Sequence, residues 1–225
     1  VTAPIVHVTS LHRSFRTGKE PLVVLDGLDL SVEPGAIVAI RGRSGSGKTT
    51  LLNILGGLDR QYEGRVEVAG RDIGRLDDAA LAGFRNEVIG LVFQSFNLIP
   101  SLSCAENVML PAMFSRRRGV NVDRERLDEV LARVDLLEMA EKSPATMSGG
   151  QRQRAAIARA VLLGPCVLLC DEPTGNLDVE TGASILALFR DLNEKDGMTI
   201  IIVTHEERAA VIAHRRLSLV GGRLA

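Results

Sequence analysis

The sequence predicts an α/β domain built on a mainly parallel sheet, with an antiparallel β layer at its N-terminal end and an inserted helical segment. Three observations carry this prediction. Short, largely apolar runs at 36–40, 89–93, 167–170 and 199–204 alternate with helical stretches, and runs of this length without polar alternation suit strands covered on both faces. A glycine-rich turn follows the first of these strands at once. Polar residues close the others, Gln94, Asp171, Glu172 and His205, and ligands in such sheets bind outside the carboxyl ends of the strands.

In chain order, the β-like runs 5–8, 22–25 and 28–32, broken by Gly18, Pro21 and Gly27, predict the antiparallel layer. Pro34-Gly35 is a turn into the strand 36–40, and 65–68 (Arg-Val-Glu-Val) alternates as a half-exposed antiparallel strand does. A helix is expected over 77–86. Between 95 and 164 the texture turns helical, with Leu127, Val130, Leu131 and Val134 forming a one-sided stripe over 123–134. Arg116, Arg117 and Arg118 just before it read as a solvated loop. A helix carrying Ile185, Leu186, Leu188, Phe189 and Leu192 leads through Gly197 to the last apolar strand. The 225 residues are thus expected to form one domain, 1–225, with a core over 1–94 and 165–225 and a helical subdomain over 95–164.

Composition narrows the function classes. With 45% hydrophobic and 24% charged residues and a formal net charge of −1, the chain is globular and lacks the basic excess of a protein that coats nucleic acid. Cys104, Cys166 and Cys170 lie in apolar surroundings without metal-ligand spacing and read as reduced core thiols. No apolar run approaches a membrane span and no signal-peptide pattern opens the chain, so a cytoplasmic location is expected.

The turn Gly42-Arg43-Ser44-Gly45-Ser46-Gly47-Lys48-Thr49-Thr50 has the spacing G-x-x-x-x-G-K-T of a phosphate cradle. Glycines let the backbone pass close under a phosphate chain with its N–H groups inward. Lys48 adds positive charge for the β- and γ-phosphates, Thr49 a hydroxyl for Mg²⁺, and a helix over 50–55 the positive end of its dipole. Asp171, at the end of a buried strand, is placed to hold Mg²⁺ through water, and Glu172, pointing differently, to face the attacking water. Ser148 is a natural N-cap for a helix over 152–163, with Gly149, Gly150 and Gln151 between; taken alone this is a capped helix, and beside a cradle it is also a second anion site.

The order cradle, Gln94, Ser148-Gly149-Gly150-Gln151, Asp171-Glu172-Pro173, Asn176-Leu177-Asp178 and His205 resembles the ATP-binding cassette (ABC) ATPases, P-loop NTPases with a RecA-like core, over almost the whole chain. Gly56-Gly57-Leu58-Asp59, the stretch 89–100 and Glu106-Asn107-Val108-Met109-Leu110-Pro111 are similar to the lipoprotein-release and macrolide-export subgroup and its cell-division relatives. Met147 stands for the usual Leu, and Ser103-Cys104 for the commoner Thr-Ala or Thr-Val.

The resemblance implies ATP and Mg²⁺ as ligands and a head-to-tail homodimer, with each ATP between the cradle of one subunit and the Ser148–Gln151 turn of the other. It gives Gln94 contact with metal and attacking water and the coupling of both to the helical insert, Glu172 the role of general base, His205 contact with the γ-phosphate and Asp178 a bridge to the partner cradle. Phe15 falls where the family stacks an aromatic on adenine; by itself it reads equally as a core residue. Separately encoded permease subunits, a peripheral place on the inner face of the membrane and no nucleic-acid partner complete the expectation. A membrane regulator that transports nothing, as in the cell-division relatives, is the alternative. The end of the sequence, Gly221-Gly222-Arg223-Leu224-Ala225, is read as carrying no regulatory domain.

Overall fold

The computed structural model describes residues 3–17, 20–115 and 122–225, so the expectation for Arg116–118 lies outside the described residues. The elements run β1 (Val6–Thr17), β2 (Glu20–Val32), β3 (Ile37–Arg41), α1 (Lys48–Leu55), β4 (Glu63–Val68), β5 (Arg71–Asp72), α2 (Asp78–Val88), β6 (Ile89–Val92), α3 (Cys104–Met113), α4 (Arg124–Arg133) and α5 (Gly149–Val161). They continue with β7 (Val167–Asp171), α6 (Val179–Asp196), β8 (Thr199–Thr204), β9 (Arg215–Val220) and β10 (Arg223–Leu224).

Two sheets form. The six-stranded sheet has the order β10-β9-β3-β8-β7-β6, parallel from β9 to β6 with β10 antiparallel at one edge. Its central strands are buried on both faces, which explains their unbroken apolar runs. In β8, Ile200 and Ile202 enter one core while Ile201 and Val203 enter the other; in β7, Leu168 and Cys170 face the first, Val167 and Leu169 the second. The first core also holds Leu127, Val130 and Leu131 of α4 and Ile185, Leu188 and Phe189 of α6. The second lies under the antiparallel layer, against Leu51 and Ile54 of α1.

That layer has the order β2-β1-β4-β5. The three short runs expected near the N-terminus are two long strands: Pro21 and Gly27, read as breaks, both lie inside β2. β2 is the edge strand, where the missing N–H of Pro21 costs no ladder bond, and register shifts along β1 take up the irregularity. β9 was not foreseen, because only Leu219 of its six residues is buried and its polar sequence carries no run. Cys104 and Cys170 are core thiols as expected, but Cys166 is exposed: it lies in the bend before β7, outside the strand whose residues are covered on both faces.

Helix starts follow their caps. Asp77, Ser103, Asp123, Ser148 and Asp178 each accept a backbone N–H in the first turn of α2, α3, α4, α5 and α6. Asn107 of α3 is fully buried and holds the loop before its own helix: Nδ2 donates to the carbonyls of Ile99 (3.0 Å), Leu102 (3.2 Å) and Ser103 (2.9 Å), and Oδ1 accepts from Ile99 N–H (2.7 Å). Asn107→Ala takes the side-chain partner from the Ile99 N–H and the Leu102 carbonyl, while the Ile99 and Ser103 carbonyls keep backbone donors, and chemical denaturation is expected to show a loss of about 1–3 kcal/mol.

Candidate active site

The cradle is built where β3 leaves the parallel sheet. α1 begins at Lys48, two residues before the expected start, with Gly47 as its N-cap at φ 101°. A Cβ on Gly47 would lie 2.9 Å from Val24 Cγ1 and 3.0 Å from the Val24 carbonyl, so only glycine lets the loop tuck against β2. No side chain caps α1, which leaves its first amides for an anion. Lys48 is buried, and its ammonium donates to the carbonyls of Gly42 (2.9 Å) and Arg43 (3.1 Å).

A cavity of about 670 Å³ opens over this loop. Arg43, Ser44, Gly45, Gly47, Lys48, Thr49 and Thr50 form one wall, and Gln94, Asp171, Glu172 and His205 the other. The parallel order brings β6, β7 and β8 to end beside β3, so residues more than 150 positions apart meet there. Gly42 and Ser46 lie behind the wall. The bare Gly42 Cα makes room for Ser46 Oγ, which is buried and has no hydrogen-bond partner.

The carboxylates differ in environment. Burial raises the Asp171 pKa; a hydrogen bond from the Thr49 hydroxyl opposes this, the Glu172 charge adds to it and Lys48 counters it. Glu172 sits in the left-handed region at φ 46°, a strained conformation for a residue with a Cβ, and this turns its side chain away from that of Asp171. Its Oε2 accepts from Thr204 Oγ1 (3.1 Å), His205 N–H (3.2 Å) and His205 Nδ1–H (2.9 Å), while Oε1 lies 3.8 Å from Lys48 Nζ. The side chain is only 13% exposed, so this charge is held by donors rather than water.

Gln94 pairs with Asn176: Gln94 Nε2 donates to Asn176 Oδ1 (3.3 Å), and Asn176 Nδ2 to the Gln94 carbonyl (3.1 Å). Asn176, Thr204 and Val24 were not singled out as site residues from sequence. For Thr204 the available signal was its place before His205 at a strand end; for Asn176 and Val24 the contact depends on the fold.

The second group does not line this cavity. Ser148 and Gln151 form a reciprocal capping box, with Ser148 Oγ accepting from Gln151 N–H (3.2 Å) and Gln151 Oε1 from Ser148 N–H (2.8 Å); the amides of Gly149 and Gly150 take no part in it. A Cβ on Gly150 would collide with Thr181, so α5 starts against the first turn of α6. Asp178 caps that turn, accepting from Thr181 N–H (2.9 Å) and Oγ1 (2.6 Å), bonds that lower its pKa. Phe15 is also outside the cavity, on β1, with the Arg13 guanidinium 4.0 Å from its ring centroid.

The residues present fit a nucleotide with its metal. Uncapped helix amides, a buried lysine and an orphaned serine hydroxyl converge on one loop, and the Thr49 and Asp171 oxygens beside them are the hard donors that Mg²⁺ takes. A family model described as ABC transporter matches residues 25–175, two thirds of the chain. The chain belongs to the ABC transporter family. It is 45% identical to the lipoprotein-releasing system ATP-binding protein LolD of Nitratidesulfovibrio vulgaris, covering 99% of this chain and 95% of that relative. The LolD of Anaeromyxobacter dehalogenans is 43% identical, with 100% and 94% covered. Identity to the macrolide export ATP-binding/permease protein MacB of Burkholderia pseudomallei is 44% over 100% of this chain, which spans only 34% of that relative's length. Among solved structures, the ATP-binding cassette MJ0796, in a dimeric post-hydrolysis state bound to ADP and Pi, has a TM-score of 0.89 and 40% identity, covering 97% of this chain and 96% of that one. The ABC cassette fold expected from the sequence is therefore borne out. No helix among the described residues is long and apolar enough to cross a membrane.

Proposed function

We propose that this ABC cassette is the ATP-hydrolysing subunit of a LolD- or MacB-type system, and that it powers export or extraction of a substrate by separate membrane subunits. The observation that carries this reading is the Glu172 carboxylate, buried at the strand ends between Lys48 and His205 and beside the cradle. Lys48, Thr49, Thr50, Arg43, Ser44, Gly45, Ser46 and Gly47 bind the phosphates, with Gly42 giving the loop its room. Bound Mg²⁺, held by Thr49, Asp171 and Gln94, supplies charge neutralisation on the phosphate oxygens. Glu172 takes the proton of the attacking water on a carboxylate oxygen, and His205, fixed through Nδ1, holds Glu172 in place and contacts the γ-phosphate. Phe15 stacks on adenine from β1.

Ser148, Gly149, Gly150, Gln151 and Asp178 serve the cradle of a second copy in a head-to-tail dimer, a reading supported by their position outside their own chain's cavity and by the dimeric state of the MJ0796 cassette. The core 1–94 and 165–225 then carries the cradle, and the helical subdomain 95–164 carries the Ser148 turn. The chain works in the cytoplasm, on the inner face of the membrane beside its permease.

Lys48→Ala tests the cradle. Loss of its charge-assisted bonds, about 1.5–3 kcal/mol, weakens ATP binding roughly 10- to 100-fold and abolishes turnover, with a cooperative thermal transition showing that the chain still folds. Near-wild-type turnover in the purified variant would remove the assignment. The transport role is checked by co-purification from detergent-solubilised membranes, where a permease with an extracytoplasmic domain is expected; capture of no membrane subunit argues against it.

A further inference from the structure

Gln94 enters the nucleotide cavity from the end of an edge strand, with Asn176 bonded to its amide and its carbonyl. β6 is an edge strand of four residues, and the backbone beyond it passes through two successive left-handed residues, Phe96 (φ 62°) and Asn97 (φ 50°), neither of them glycine. Such a turn persists only when its surroundings hold it. The hold comes from α5: Arg159 donates Nη1 to the Asn97 carbonyl (2.6 Å) and Nη2 to the Phe96 carbonyl (2.8 Å). Two helical turns earlier, the Arg152 guanidinium lies 5.4 Å from the centroid of the Phe96 ring. Burial lowers the Arg159 pKa, as expected of a guanidinium withdrawn from water to serve two carbonyls. The same helix begins at the Ser148–Gln151 capping box.

From this arrangement we infer that Arg159, assisted by Arg152, is a positioning residue for ATP hydrolysis: it clasps the 95–97 turn to α5, so that the seat of the Ser148 end on a partner's nucleotide fixes where Gln94 stands in its own cavity. The inference rests on the ATPase reading above. Arg159 touches no reacting atom and acts through Gln94.

A double-mutant cycle tests it on the full chain, reading kcat, ATP affinity and the Mg²⁺ concentration at half-maximal turnover. Arg159→Gln is expected to lower kcat on the order of 10- to 100-fold, as small misplacements of catalytic groups do, to leave ATP affinity within about twofold and to raise the Mg²⁺ midpoint. In a Gln94→Ala background the same substitution is expected to change kcat by less than about twofold, because the group it positions is gone. Independent, multiplying effects, an unchanged kcat in the single variant, or ATP affinity falling in step with kcat would overturn the clasp. If Arg159→Gln does not fold, Arg159→Lys takes its place under the same criteria, since it keeps the charge but cannot span both carbonyls. A wild-type chain without Mg²⁺-dependent turnover overturns the ATPase reading and the clasp with it; an active wild type with multiplying substitutions overturns the clasp alone.

Discussion

Glu172→Gln binds ATP and hydrolyses it about 10²–10⁴-fold more slowly than the wild type. The geometry makes this a clean substitution. Thr204 Oγ–H, His205 N–H and His205 Nδ1–H all donate to one carboxylate oxygen, so the carboxamide of Gln is oriented with its oxygen there and its NH₂ toward Lys48. Shape and the hydrogen bonds to His205 survive. What disappears is the negative charge that would take the proton of the attacking water, together with the attraction that holds Lys48 toward position 172, so nucleotide affinity is kept. With cleavage blocked, ATP should hold two chains together. Gel filtration with ATP and Mg²⁺ is expected to show a dimer absent from the same variant without nucleotide. A monomer at concentrations well above the ATP affinity would count against the head-to-tail arrangement.

Ser148→Arg abolishes turnover although the substituted residue lies outside the cavity of its own chain. As an N-cap alone, Ser148 would contribute about 0.5–2 kcal/mol to folding, and its loss would leave catalysis intact in the protein that survives. If the start of α5 instead faces the γ-phosphate held by a second copy, a long cationic side chain at the capping box blocks closure while ATP still binds the intact cradle. Mixing separates the two cases. Ser148→Arg and Lys48→Ala chains are each inactive, but a heterodimer unites the healthy cradle of the first with the healthy α5 turn of the second and rebuilds one complete site. Activity in the mixture above that of either variant alone is the expected result. A folded, fully active Ser148→Arg protein would refute the trans assignment.

The sequence by itself determined the parts whose chemistry is local. A cradle is set by consecutive backbone angles, and only Gly47 tolerates φ 101° against Val24, so the G-x-x-x-x-G-K-T spacing fixed Lys48 and Thr49. Each apolar strand ended on its polar residue, because strands covered on both faces stay apolar until they emerge, and this placed Gln94, Asp171, Glu172 and His205 at one rim. The cap Ser148 was legible for the same reason, since it bonds an amide three residues on; Asp178 does the same to Thr181, but only the structure showed it as a cap. Tertiary structure alone decided what depends on pairing across the chain. Asn176 meets Gln94 over 82 positions, Arg159 reaches Asn97 over 62, and β9 joins β3 through register rather than through any apolar run of its own. The left-handed backbone of Glu172 belongs here too: nothing in Asp-Glu-Pro announces it, and it is supported by the Val203 carbonyl, which accepts its N–H at 2.9 Å, and by the donors of Thr204 and His205. Long-range contacts of this kind are selected by how the sheet is wound, and sheet winding is set by the packing of two whole cores against its faces, not by the neighbours of any one residue.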